Sequence, residues 1–327
     1  MSMGNRPRYR SAVFGALGFA LISTLGPACG DGGQGPSDTN EDTLPTPLDG
    51  RGGGVLAYSK QPAPGSGVHE IFAINLDGSG DKRLVSASIG LNHGDWAPNA
   101  QRLAATGYVS ESTWSIYVFN ADGTALNRLT NTDGVRDVGP AWAPDGVRIA
   151  FSRTYPQEGG RSEIWVMNAD GGDQHSLNVD GFAARWSPGG QRLAFAADRG
   201  SGWNLYLVNA DGSGEAQLTA MAGDEMDPSW SPDGTRIAFT SNSDGDMEVY
   251  VMATDGTNVR QLTSNSADDY VPRWSPDGSR IAFHSDLPGG DHWEIYVMSV
   301  DGTNVNRVTQ TVAPRTAISA AWRPAGG

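Results

Sequence analysis

A short pattern centred on tryptophan recurs along the chain at nearly constant spacing, and it restricts the fold more than any other feature. In its fullest form the pattern reads WSPDGTRIAF, beginning at Trp230. Its anchor tryptophans, spaced 46, 44, 44, 44 and 48 residues apart, are Trp96, Trp142, Trp186, Trp230, Trp274 and Trp322. A period of about 40 to 50 residues is typical of folds built from one repeated unit. The 327 residues therefore indicate one large repeat domain rather than two unrelated domains.

Each copy of the unit is interpreted as four short strands joined by turns. The residues before Trp form strand A, the Pro-Asp-Gly segment turns the chain, and the Arg-Ile-Ala-Phe run forms strand B. After a polar loop, an apolar run such as IYVFN from Ile116 forms strand C and ends in Asp-Gly, which is a strong hairpin signal. Strand D then ends in a pair such as Leu218-Thr219.

These units predict an all-β fold, a six-bladed β-propeller of four-stranded antiparallel blades over residues 55–327. The first unit begins at Val55 without a strand A, whereas the strand at Trp322 has no strand B after it. We therefore expect the C-terminal strand to complete the first blade and close the ring, which removes open sheet edges. The six anchor tryptophans are expected to fill the space between blades.

The N-terminus has the layout of an export signal. Three arginines, the last of them Arg10, precede an uncharged apolar stretch from Ser11 to Leu25, which is too short to span a bilayer comfortably. The stretch is followed by Cys29, the only cysteine of the chain. Residues 1–28 resemble a bacterial lipoprotein signal, which implies lipidation of Cys29 and anchoring to a bacterial membrane. Ordinary secretion after cleavage at Ala28 is the alternative.

Residues 29–54 are rich in Gly, Pro and Asp and contain no apolar period. Such a segment has almost nothing to bury, so it is predicted to be a disordered tether between the anchored cysteine and the propeller.

The composition excludes several classes of function. The chain carries 37 acidic and 23 basic residues, for a net charge of −14, and an acidic chain repels phosphate backbones, so no nucleic acid is expected as a partner. A single cysteine rules out a disulfide framework and a cysteine-rich zinc site. No GxSxG, P-loop or dinucleotide-binding motif occurs, so no catalytic residue is assigned.

The repeated motif PxWSPDGxRIAF…EIYVMNADGTNxxxLT resembles the propeller of TolB and its relatives in bacterial envelopes. The resemblance covers roughly Val55 to Pro324. It implies an exported, non-catalytic protein of the periplasm or cell surface that binds an envelope protein, and we expect a monomer. TolB carries an α/β domain ahead of its propeller, where the present sequence shows only the predicted tether.

Acidic residues cluster in the loops that lead into strand A, which form one rim of the channel in propellers. Alignment on the tryptophans places most of them in the fifth and sixth blades, with Asp244 and Asp246 of a neighbouring loop on the same side. The hypothesis is a mouth for a basic peptide, an amine or calcium, and the alternative is a solvated acidic rim. The candidate residues are Asp137, Asp224, Glu225, Asp227, Asp268 and Asp269.

Three histidines offer a weaker candidate for a metal site. His284 ends strand B of the sixth blade, His292 precedes its strand C, and His69 lies in the equivalent loop of the first blade. Histidine and carboxylate groups are suitable ligands for zinc or manganese. Certain oligogalacturonate lyases use a similar propeller with a histidine-based metal site, so a metal-dependent polysaccharide lyase is the alternative function. The preferred interpretation is exposed loop residues with no cofactor.

Overall fold

The computed structural model describes residues 48–50, 52–61, 68–85, 89–287, 292–311 and 316–325. The predicted signal peptide, Cys29 and most of the predicted tether lie outside these ranges. The described residues form β-strands and one short 3₁₀ turn, Pro156–Glu158. No helix within them is long and apolar enough to cross a bilayer. The all-β prediction is confirmed.

The strands assemble into four-stranded antiparallel sheets, numbered here in chain order. Sheet 1 contains β1 (Val55–Lys60), β2 (Glu70–Asn75) and β3 (Lys82–Arg83), and its fourth strand is the last of the chain, β24 (Ala317–Trp322). The other sheets are contiguous in sequence: sheet 2 has β4 (Leu91–Trp96), β5 (Arg102–Tyr108), β6 (Trp114–Asn120) and β7 (Asn127–Arg128); sheet 3 has β8 (Arg136–Trp142), β9 (Arg148–Tyr155), β10 (Arg161–Asn168) and β11 (His175–Asp180); sheet 4 has β12 (Phe182–Trp186), β13 (Arg192–Asp198), β14 (Trp203–Asn209) and β15 (Ala216–Gln217); sheet 5 has β16 (Glu225–Trp230), β17 (Arg236–Ser241), β18 (Glu248–Ala253) and β19 (Arg260–Gln261); sheet 6 has β20 (Asp269–Trp274), β21 (Arg280–Ser285), β22 (Glu294–Ser299) and β23 (Asn306–Arg307). A single parallel pair, Trp114 with Arg136, joins sheets 2 and 3.

The C-terminal strand pairs with the first strand of the chain. β24 lies antiparallel to β1, with Leu56 opposite Trp322 and Lys60 opposite Ala317. The strand that begins each sheet, called here the inner strand, also contacts the inner strands of two other sheets, in the order β4, β8, β12, β16, β20, β24 and back to β4. The inner strands therefore follow one another in a cyclic order.

Apolar side chains pack between neighbouring sheets. Trp186 of sheet 4 packs with Ala141 and Ile164 of sheet 3, and comparable clusters join sheets 1 and 2, 2 and 3, and 5 and 6. Leu56 of sheet 1 packs in one cluster with Ala282 of sheet 6. Fully burying one large apolar side chain contributes about 1.5 to 3 kcal/mol, so these contacts hold the sheets together.

Every inner strand contains a β-bulge at the third residue before its tryptophan. The bulged residues have left-handed φ values from 53° to 62°: His93, Gly139, Ala183, Asp227, Val271 and Ser319. Only one is glycine, so the surrounding contacts must hold the other five in a backbone region that L-residues rarely adopt. At four of the six bulges, part of that support comes from the preceding sheet, whose second strand supplies a hydroxyl to the bulged N–H. Ser59 accepts from His93 at 3.0 Å, and Thr106 accepts from Gly139 at 3.1 Å.

Candidate functional site

The anchor tryptophans lie between sheets. The indole Nε1 of Trp186 donates to the carbonyl of Ala141, in the inner strand of the preceding sheet, at 3.2 Å. The recurring arginine of the preceding sheet also stacks on the indole, as Arg148 does at 4.6 Å from the Trp186 ring centroid. The same indole-to-carbonyl bond is made by Trp230 and by Trp322. The motif residues therefore build sheet interfaces.

Asp137, one of the predicted rim acids, is neutralised inside the protein. Its two carboxylate oxygens accept from Nε and Nη2 of Arg153 at 2.7 and 2.9 Å, and both side chains are buried. Such a bidentate pair is strong and geometrically specific. Asp137 is therefore a structural ion-pair partner and does not lie on an open rim.

Asp224 and Asp268 occupy the same position, six residues before the tryptophans of sheets 5 and 6. Each is half-buried and accepts from a backbone N–H at the start of a third strand in the preceding sheet. Asp224 Oδ1 accepts from Trp203 at 2.9 Å, and Asp268 Oδ1 accepts from Met247 at 3.0 Å. These two acids tie loops between sheets.

Glu225 and Asp269 begin the inner strands of sheets 5 and 6 and are fully buried. Glu225 Oε1 accepts from Ser241 Oγ at 3.3 Å, and Asp269 Oδ2 accepts from Asn265 Nδ2 at 3.0 Å. Burial raises the pKa of both carboxyls. The interpretation of the six acids as an open rim therefore needs correction, because four of them are buried on the inner strands and the other two, Asp224 and Asp268, are half-buried.

A mixed cluster of charges lies on the inner strands. The residue before the tryptophan is charged in sheets 2, 4 and 6, where it is Asp95, Arg185 and Arg273, and Asp227 lies on the inner strand of sheet 5. Asp95 Oδ2 accepts from the backbone of Trp142 at 2.7 Å. The four charged groups influence one another electrostatically, although they come from four different sheets.

The two arginines of this cluster bond only to backbone carbonyls of the described residues. Arg185 Nη1 donates to the carbonyls of Gly139, Pro140 and Ala184 at 3.3 to 3.4 Å, and Arg273 Nη1 donates to Pro272 at 2.9 Å. Neither guanidinium lies within 4.0 Å of a described carboxylate. Both side chains are only partly buried, so they remain in contact with solvent.

Burial sets the electrostatics of this cluster. Burial raises the pKa of Asp227 to about 6, against the opposing charges of Arg273 and Arg185. Burial and the neighbouring charge of Arg185 lower the pKa of Arg273 to about 9. Both shifts favour the neutral forms, so an additional ion that approached the cluster would change the protonation of these groups.

The three candidate metal-binding histidines have other contacts. His284 takes the place of the hydroxyl residues that support the bulges, since its Nδ1 accepts from the backbone of Ser319 at 3.5 Å. Burial lowers the pKa of His284 to about 3 and that of His69 to about 4. His69 Nε2 lies 3.3 Å from Thr316 Oγ1, and His292 Nε2 lies 3.4 Å from Glu294 Oε1.

One group of potential metal ligands does come together in the described part of the chain, and it contains no histidine. It consists of Asp244, Asp246 and Glu248, with one carboxylate oxygen of each within 4.8 Å of the others. Asp244 and Asp246 were named from the sequence, but Glu248 was not, although its DxDxE spacing was a usable signal. The charged inner positions were also missed, although the sequence marks them by DWAP at Asp95 and RWSP at Arg185 and Arg273.

Comparisons with known proteins agree with the repeat and the fold. The family model described as TolB beta propeller domain matches residues 175–260 and 236–327. The chain is 31% identical over 118 residues to the Tol-Pal system protein TolB of Anaeromyxobacter dehalogenans strain 2CP-C, and this alignment covers 36% of the chain and 26% of the relative. Over residues 175–327 the chain is thus similar to the TolB beta propeller domain.

Two solved structures have a similar fold. The crystal structure of TolB from Acinetobacter baumannii superposes with a TM-score of 0.72 at 22% identity, covering 84% of this chain and 67% of that one. An oligogalacturonate lyase in complex with manganese gives a TM-score of 0.57 at 16% identity, covering 80% of this chain and 75% of that one. The chain spans about a quarter of the length of the curated relatives it matches, so their activities and partners are not transferred directly.

Proposed function

We propose that the protein is a non-catalytic, six-bladed and closed β-propeller of the bacterial envelope that binds a protein partner at the centre of the ring. The pairing of β24 with β1 and the cyclic order of the inner strands support the closed ring. The likeness to TolB supports an envelope location.

The observation that carries the binding role is the unpaired state of Arg185 and Arg273 among the described residues. Both side chains are partly exposed, and neither is held by an ion pair with a described carboxylate, so both can engage a ligand. The planar guanidinium groups match a carboxylate in a bidentate geometry. Asp95 and Asp227, on neighbouring inner strands, would receive basic groups of the same partner segment. The partner is therefore an envelope protein that presents a segment with both charges.

The six acids that the sequence predicted to form a rim support binding of a protein partner less well. Asp137, Asp224 and Asp268 are already engaged within the fold, and capture of a basic peptide by the six acids stays a prediction. The alternative function, a metal-dependent lyase, draws on the similar fold of the manganese-bound lyase. It is less supported because His69, His284 and His292 make separate contacts instead of sharing one group of ligands.

Export and anchoring complete the proposal. Residues 1–28 would direct export, lipidated Cys29 would hold the protein at a periplasmic or surface-exposed membrane face, and residues 29–54 would act as the tether, with the propeller as a monomer. One acyl chain binds membranes only marginally, so stable anchoring requires the several chains of a bacterial lipoprotein. Replacement C29S should move the protein from the membrane to the soluble fraction, and unchanged fractionation would exclude this anchor.

The binding role is tested by co-purification from envelope extracts followed by identification of the captured proteins. The double variant R185Q/R273Q should keep the wild-type melting temperature and lose the partner that wild type captures. Arg192, an exposed arginine, provides the matched control in R192Q. Capture of the same proteins by the double variant and by wild type would refute binding at the inner ring.

A further inference from the structure

Three carboxylates meet where the loop between the second and third strands of sheet 5 runs into β18. Asp244 is exposed, Asp246 is half-buried and Glu248 is fully buried. One oxygen of each lies within 4.8 Å of the others. The acids alternate along the chain across a turn that contains Gly245, so their side chains approach one point from a short segment.

Glu248 supplies a second and independent observation. Its Oε1 accepts from the backbone of Asn265 at 2.6 Å, but its Oε2 is buried and has no hydrogen-bond partner among the described residues. Asp269 of β20 interacts with the Glu248 carboxyl, and its buried Oδ1 also lacks a partner. Buried carboxylate oxygens without partners are costly.

At the corresponding position of sheet 6, both carboxylate oxygens have hydrogen-bond partners. Glu294 begins β22 as Glu248 begins β18, and it is equally buried. Its Oε2 accepts from Thr309 Oγ1, and its Oε1 accepts from the N–H and the hydroxyl of Thr311 at 2.6 and 2.9 Å. Both oxygens of Glu294 therefore have partners, whereas Oε2 of Glu248 has none, and the amide Oδ1 of Asn204 at the same position of sheet 4 also lacks one.

We propose that Asp244, Asp246 and Glu248, with Asp269 behind Glu248, bind one hard divalent cation, for which Ca²⁺ is the best match. Ca²⁺ takes oxygen ligands in flexible geometry, and this site offers only oxygen. The ion would compensate the repulsion among the acids and satisfy the buried oxygens. The proposal does not depend on partner binding at the inner ring.

The groups around these acids do not balance their charge. The groups around Glu248 are Thr263 and Asn265 beyond β19 and Asp269 on β20, and the charges of Asp244 and Asp268 act on Asp246. No cationic side chain is among these groups, so either a proton or a metal ion must compensate the charge.

The test is titration of the full chain with CaCl₂ alone, by calorimetry and by thermal melting, at pH 8.0. We expect one ion per chain, with a Kd of about 10⁻⁴ to 10⁻³ M, as in extracellular calcium modules. MgCl₂ should bind more weakly, because Mg²⁺ requires near-octahedral geometry.

Variants distinguish this site from other acids. D246N removes a half-buried ligand and should fold normally while weakening Ca²⁺ binding about tenfold or more, since affinity depends on ligand charge. E248Q removes the charge of the buried ligand and should also weaken Ca²⁺ binding. D133N changes an exposed acid and should bind as wild type does. Absence of binding at pH 8.0, or equal binding by D246N, would overturn the proposal and leave a shared proton between Glu248 and Asp269 as the explanation.

Discussion

Sheets 3 and 6 each carry a buried aspartate on the inner strand, five residues before the tryptophan, yet the two acids have opposite surroundings. Asp137 lies opposite Arg153 in the register of sheet 3 and forms a bidentate ion pair with it. Asp269 lies opposite Ser285 in sheet 6 and interacts with a second acid, Glu248. The backbone repeat therefore fixes the position of an acid, whereas one residue on the next strand decides whether it is structural or able to bind a ligand.

The largest effect is expected from breaking the ion pair between Asp137 and Arg153. R153M should destabilise the protein by about 3 to 5 kcal/mol, because it leaves Asp137 charged and unpaired in the interior. Urea unfolding of R153M, D137N and the double variant measures this as a double-mutant cycle. The cycle also separates the ion pair from the stacking of Arg153 on Trp165, at 4.1 Å from the ring centroid.

The matched control for this experiment is R192M, which removes an exposed arginine and should change stability by less than about 0.5 kcal/mol. If R153M unfolds at the urea concentration of wild type, Asp137 is not held as an ion pair and the contrast with sheet 6 fails.

A smaller, pH-dependent effect on stability is expected from the two neighbouring acids, Glu248 and Asp269. The pKa of Glu248 is raised from 4.5 to about 7 in the folded state, so the folded protein binds more protons than the unfolded chain in this window. The contribution of Glu248 to stability is therefore present at low pH and is lost as the pH rises from about 4.5 to about 7. E248Q abolishes the titration, so the stability of wild type relative to E248Q should fall across that range.

Other groups titrate nearby, which is why the difference between the two proteins is the useful quantity. Burial lowers the pKa of His284 to about 3, so its contribution to stability has the opposite pH dependence and is lost as the pH falls below about 6.5. The pKa of Asp227 is raised to about 6, so its contribution changes with pH in the same direction as that of Glu248. Unfolding should be measured in chelator, to exclude metal ions. A constant difference between wild type and E248Q from pH 4.5 to 7 would show that Glu248 does not titrate in this window.

The comparison also shows which features a single sequence can predict. Turn chemistry and tryptophan spacing predicted the strands, and the incomplete first and last units predicted the pairing of β24 with β1. The contacts of the acids could not be predicted from the sequence, because the bulge in each inner strand shifts its register against the second strand. That shift determines that Asp137 meets Arg153, although no motif links the two residues.

His284 illustrates the same limit. From the sequence it was a candidate metal ligand or an exposed loop residue, but in the structure it is buried and supports the bulge at Ser319, as Ser59 supports that at His93. A histidine at a position where aligned repeats carry serine or threonine was a usable sign of this role. The charged residues before the anchor tryptophans were equally visible, but only the cyclic order of the inner strands brings them near one another.

The smallest predicted effect concerns the half-buried acids, which lie between the two extremes of the comparison. Asp268 accepts from the backbone of Met247, so D268A should cost about 1 kcal/mol by leaving that N–H unpaired. D268N keeps an acceptor oxygen and should cost less, and Asp224, with its bond to Trp203, should behave in the same way. Urea unfolding of the four variants checks both expectations. If the alanine variants match wild type in stability, these acids do not support the fold. A binding role for the acidic residues would then be the better explanation of their position. The asparagine variants then serve as the direct probe, since they remove the charge while keeping the bond, and loss of a basic partner would reveal that surface.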